Sequence, residues 1–226
     1  MEKEIAFLMD VYRRLYDYFG PRGWWPGETP LEVVIGAILT QSVAWRNVEK
    51  AIDNLKDANL LSVEALAVVD QEALEPLIVP TRYYKAKAKK LKVFINHLVG
   101  DHNGHLDSLF QGEMEEVRRK VLSLWGIGPE TADSILLYAG NHPTFVVDAY
   151  TRRIFHRLGI FPEDVNYETM REYFMRHLPV DISLYNEYHA LIVGLGNRVC
   201  AANKPDCRQC PLHDVCQKFR KESAHA

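Results

Sequence analysis

The chain has 226 residues, of which 47% are hydrophobic and 25% charged, and its formal net charge is −3. That length holds one large domain or two small ones around a buried core, in a composition typical of globular proteins. A pI near 6.3 argues against bulk electrostatic attraction to nucleic acid, and the N-terminus, charged throughout, reads as neither a signal peptide nor a membrane span. No membrane partner and a cytoplasmic location are therefore expected.

The hydrophobic pattern is helical almost throughout. In "EKEIAFLMDVYRRLYDYF" the residues Ile5, Leu8, Met9, Tyr12 and Tyr16 share one face. Pro21, Gly23, Pro26, Gly27 and Pro30 then interrupt the chain. Helices are predicted from Pro30 to Thr40 and from Asn47 to Ala58, followed by two short ones with Ser62 and Asp70 as N-caps. "TRYYKAKAKKLKVFINHLVG" predicts a longer amphipathic helix, and "EEVRRKVLSLW" another that runs into a glycine pair. After a boundary near Asn141–Pro143, "TFVVDAYTRRIFHRLGI" reads as an extended segment entering a helix, and two further helices follow. The expectation is an all-α protein of about ten short helices with no repeat and no sheet.

Two basic clusters stand out on this slightly acidic chain. One is Arg82 with Lys85, Lys87, Lys89, Lys90 and Lys92; the other runs from Arg198 through Lys204, Arg208 and Lys218 to Lys221. Each is an ordinary solvated face or a local surface for DNA.

All four cysteines, Cys200, Cys207, Cys210 and Cys216, fall in one C-x6-C-x2-C-x5-C array. Without a secretory signal, disulfides are not expected. Four thiolates on a tight loop bind Zn²⁺ or an iron–sulfur cluster, and this spacing suits a cubane better than the paired knuckles of zinc loops. Such a group would brace the segment "AANKPD", from which Lys204 could meet a phosphate.

"LWGIGPETADSILLYAG", from Leu124 to Gly140, reads as a hairpin opening into a helix. Two glycines flanking one apolar residue, with Pro129 next, leave backbone N–H groups at a helix N-terminus, where they can hold an anion. Glu130 stands at the mouth of that turn, where an acid also suits the helix dipole. Asp148, inside the apolar run "TFVVDAY", must either cap the following helix or do chemistry.

The hairpin "LWGIGPETA", then "VVDAYTRR" with its aspartate eighteen residues after Glu130, then the cysteine array together resemble the endonuclease III family of DNA base-excision glycosylases, from about Pro30 to Cys216. The resemblance implies two helical lobes flanking a DNA cleft: residues 31–142 as a lobe ending in the helix-hairpin-helix, and residues 1–30 with 143–226 as a lobe holding a [4Fe–4S] cluster on the four cysteines. It implies Asp148 as the catalytic carboxylate. It further implies that Gly126, Gly128 and Thr131 grip a backbone phosphate, with a monovalent cation as a candidate intermediary, and that Gln41 fills the hole left by a flipped nucleotide. Bifunctional members carry a lysine where this chain has Glu130. A carboxylate cannot form the imine, so a monofunctional enzyme without lyase activity is expected.

Trp24 and Trp25 read either as core or as a stacking site for an extruded base. Indole faces attract cations by about 0.5–2 kcal/mol, which suits a cationic alkylated purine, and "WWP…IGAILTQS" is similar to the 3-methyladenine branch of the family. The partner expected is double-stranded DNA with a damaged base, bound by a monomer. The alternatives are a glycosylase for oxidised or deaminated pyrimidines or mismatches, and a damaged-DNA binding protein without turnover. Asp133, Trp45 and His189 are weaker site candidates, and His189 reads as a core histidine on an apolar helix.

Overall fold

A computed structural model of the chain describes residues 1–23 and 27–223. In chain order the helices are α1 (Glu2–Phe19), α2 (Pro30–Leu39), α3 (Trp45–Asp57), α4 (Val63–Val68), α5 (Gln71–Leu74), a 3₁₀ segment Glu75–Thr81, α6 (Tyr84–His102), α7 (Leu106–Leu109), α8 (Met114–Leu122), α9 (Pro129–Ser134) continued by a π-turn Ile135–Ala139, α10 (Ala149–Leu158), α11 (Tyr167–His177), α12 (Ile182–Arg198) and α13 (Gln217–Ser223). No strand forms among the described residues. None of these helices is long and apolar enough to cross a membrane. The chain divides into two compact units, Pro26–His142 and Met1–Trp25 with Pro143–Ala226.

The first unit is built around α2, whose residues Leu31 to Leu39 are all buried. The local sequence dictates its start: Thr29 Oγ1 accepts from Glu32 N at 3.2 Å and Pro30 occupies the first helical position. Ser62 caps α4 in the same way, at 3.1 Å from Ala65 N. Asp70, expected to cap, stands before α5 without a side-chain cap bond, and Pro76 and Pro80 draw the residues after that helix into a 3₁₀ segment. The lysine-rich α6 corrects the reading of its charges as one surface patch. Lys87 is buried, and its ammonium donates to the carbonyls of Leu39 (2.8 Å) and Thr81 (2.5 Å). Lys92 donates to those of Leu66, Ala67 and Val69. Both satisfy carbonyls left open where a helix ends.

The second unit has an aromatic core. Phe145 stacks on Phe174 with centroids 4.2 Å apart, and Tyr185 and Tyr188 meet Phe145 edge-on. Thr144, Phe145, Val146 and Val147 are all buried, which explains the apolar run before Asp148: it is an extended segment threaded through the core. Arg171 anchors its start, with Nε donating to Thr144 Oγ1 at 2.8 Å. On α1 the buried stripe is Leu8, Val11 and Leu15, rotated from the expected face, so that Tyr16 is exposed.

Candidate active site

The hairpin lies in the first unit, between α8 and α9. Gly126 has φ +84°, and a Cβ built on it would come within 2.6 Å of the Lys90 side chain, so backbone and neighbour both require glycine. Gly128 is the N-cap of α9 and Pro129 its first residue. Gln41, in the turn after α2, belongs to the same arrangement. Its Nε2 donates to Thr131 Oγ1 at 2.9 Å and to the Gly126 carbonyl at 3.3 Å, and Lys90 Nζ donates to its Oε1. The expected DNA contacts Gln41, Gly126 and Thr131 are thus joined by direct hydrogen bonds. The Gln41 amide is committed to the hairpin, so insertion into a duplex requires it to exchange these partners. Asp133 points neither at the hairpin mouth nor along the helix surface. It is fully buried and takes a two-bond ion pair from Arg118, at 2.9 Å for each contact, which ties α8 to α9. Glu130 is exposed in the first turn of α9.

Asp148 lies in the second unit, as the N-cap of α10. Its Oδ1 accepts from the Thr151 backbone N–H at 2.7 Å and from Thr151 Oγ1 at 2.8 Å. Capping and chemistry need not compete, because the cap uses one oxygen. The other, Oδ2, lies 3.6 Å from Nε2 of His189, which is only 4% exposed. Burial pushes the Asp148 carboxyl up, but His189 and the Thr151 donors outweigh it and hold the group below the usual carboxylate range. The histidine read from sequence as a core residue is therefore buried, and it is also the neighbour of the candidate carboxylate. Periodicity could not show this, since the two residues stand forty-one positions apart and meet only through the fold.

At its far end α10 reaches the cysteine-bearing segment. Cys200, Cys207, Cys210 and Cys216 line one space together with Arg157, His213 and Phe219. Arg157 Nη1 is 3.1 Å from Cys200 Sγ and 2.8 Å from the Ala201 carbonyl. Cys216 Sγ lies 3.4 Å from the Arg157 carbonyl. Burial first, and then the charge of the other three cysteines, push the Cys210 thiol up to about 11. A thiol whose ionisation its three neighbours oppose fits a bound group carrying positive charge. Among the described residues no group of three or more His, Cys, Asp or Glu is placed to hold a metal ion, while the four thiols line a common space. Lys204 is exposed beside them, on a basic hollow also lined by Arg208 and Lys218. Trp24 and Trp25 lie outside the described residues.

A family model described as HhH-GPD superfamily base excision DNA repair protein matches residues 35–179. The chain belongs to the HhH-GPD superfamily of base excision DNA repair proteins. It is 43% identical over 217 residues to the "Putative DNA repair glycosylase MJ1434" of Methanocaldococcus jannaschii, covering 95% of this chain and 98% of that one. Its fold is that of endonuclease III, with a TM-score of 0.83 to a non-covalent endonuclease III–DNA complex at 21% identity, covering 99% of both chains. An H. pylori 3-methyladenine DNA glycosylase bound to 1,N6-ethenoadenine matches at a TM-score of 0.75 and 25% identity, covering 86% of this chain and 97% of that one.

Proposed function

We propose that the protein is a monofunctional DNA glycosylase that hydrolyses the N-glycosidic bond of alkylated purines such as 3-methyladenine. The observation that carries this reading is the combination of an ionised Asp148 with an acid at position 130. The Asp148 carboxylate is held ionised by His189 and Thr151, and the position that would supply a lyase amine carries Glu130. A carboxylate kept below its usual pKa is a weak proton acceptor at neutral pH, so its main contribution is electrostatic. It stabilises positive charge developing on the sugar as the base departs, and orients the incoming water. A cationic alkylated purine is a good leaving group that needs little acid assistance, which matches a site built on one anion. The similarity to a 3-methyladenine DNA glycosylase supports the same substrate class.

DNA is the partner. The hairpin N–H groups of Gly126, Gly128 and Thr131 would receive a phosphate, with Gln41 bonded beside them, and Lys204, on the second unit, would meet a phosphate. The four cysteines would hold a [4Fe–4S] cluster, which would tie the segment from Cys200 to Cys216 to itself, and Arg157 would couple that segment to α10. The bonds from Arg157 to Cys200, Ala201 and Ala202 support that coupling. Any loosening there would pass along α10 to Asp148.

The test is release of free base from duplexes carrying single defined lesions. Excision of 3-methyladenine or 7-methylguanine, abolished by Asp148→Asn, is the expected result. Excision confined to uracil, mismatched thymine or oxidised pyrimidines would overturn the substrate class.

A further inference from the structure

Trp125 is 51% exposed and immediately precedes Gly126. An indole left open to water on a turn, rather than packed beneath it, is a contact surface suited to an amphipathic partner. The structure holds it in a defined place. Lys89 Nζ sits 4.3 Å from the centre of its ring, at cation–π distance. Lys90, the next residue of α6, runs beneath Gly126 and donates to Gln41. Two consecutive lysines of α6 therefore flank the hairpin, one resting on the exposed indole and the other under the glycine. Lys89 is itself exposed, in contrast to Lys87 and Lys92, whose ammonium groups are engaged by backbone carbonyls.

The charge balance points to what this surface meets. Glu130 places a negative charge in the first turn of α9, where a phosphate held by the hairpin would be repelled. Lys89 and Lys90 supply the compensating cations from the neighbouring helix, and the flat indole beside them suits the ring of a deoxyribose or a base. An exposed ammonium beside an exposed indole fits a nucleic-acid strand, in which phosphates and rings are neighbours.

We propose that Trp125 and Lys89 form a second contact point on the DNA strand that enters the hairpin, with Lys89 pairing with a backbone phosphate and the indole lying against the adjoining sugar. The proposal rests on the reading of the chain as a DNA-binding repair enzyme and extends its interface beyond the hairpin N–H groups. It is independent of which base is excised.

The experiment uses the full chain and a short undamaged duplex, with affinity measured across a series of salt concentrations. Neutralising one phosphate contributes about 0.9 to the slope of log K against log salt, so Lys89→Gln should flatten the slope by about that amount, and Lys89→Arg should restore it. Trp125→Ala should weaken binding severalfold, less than the roughly tenfold or more lost with a stacked base, because the contact is to a sugar. Saturating DNA should also change the tryptophan emission of the wild type and leave that component absent in Trp125→Phe. Both residues are exposed, and unaltered melting of the variants would confirm that the fold is kept. Binding with an unchanged slope in Lys89→Gln and an emission change that persists in Trp125→Phe would overturn this proposal alone. Failure of the wild type to bind duplex at low salt would overturn it together with the function proposed above.

Discussion

Lys87 offers a sharp test of how the first unit is held together. Its side chain is 2% exposed and its ammonium bridges the carbonyls of Leu39 and Thr81, which fixes the end of α2 just before Gln41. Burial, with a smaller push from Lys90, lowers its pKa from 10.5 to about 8. Between those two values the unfolded chain still holds a proton that the folded chain has released, so stability rises with pH across that window. The gap corresponds to about 3 kcal/mol, an upper bound because the two carbonyls favour the charged form. Below pH 8 both states are protonated and this contribution is flat. Chemical unfolding of the wild type and of Lys87→Met at intervals from pH 7 to 10.5 reads it directly. The difference between the two free energies should move in favour of the wild type by up to about 3 kcal/mol over the range. A constant difference would refute the assignment of a buried, pKa-depressed ammonium to this site.

Arg118→Met leaves Asp133 buried without its guanidinium and should cost about 3–5 kcal/mol in unfolding free energy, whereas a loss under about 1 kcal/mol would mean that the pair does not fix α8 to α9. His189→Gln removes a group that keeps Asp148 ionised, so the acid limb of the base-release pH profile should shift to higher pH. An unmoved limb would separate His189 from the chemistry. Cys210→Ser should lower the iron and sulfide content of the purified protein and destabilise the second unit, and full iron occupancy in this variant would exclude Cys210 as a ligand.

Much of the fold was readable because its signals are local. The Thr29–Pro30 and Ser62 caps, the proline breaks after α1 and the glycine pair of the hairpin act within a few residues, and each does in space what its sequence implies. Asp70 shows the limit of that reasoning: a capping residue type stands at the N-cap of α5, but its side chain makes no cap bond. The site was harder to read, because its defining contacts join distant parts of the chain. Nothing near Asp148 in sequence announces His189, and nothing in "KAKAKKLK" distinguishes Lys87, buried on two carbonyls, from Lys89, exposed on an indole. A run of like charges reads as one face only until the helix assigns each residue a different neighbour. Gln41 likewise looked free to enter DNA, while its amide bridges Lys90, Gly126 and Thr131.

Hydrolysis driven by Asp148, with no amine nucleophile at position 130, is tested most directly on a methylated duplex incubated with the wild type, divided, and resolved with and without alkali. The expected result is strand breaks only after alkali, and none with Asp148→Asn, because water has released the base and left an intact abasic site. Breaks in the untreated lane, together with a protein–DNA adduct fixed by borohydride reduction, would contradict it, since both require a covalent imine that a glutamate cannot form.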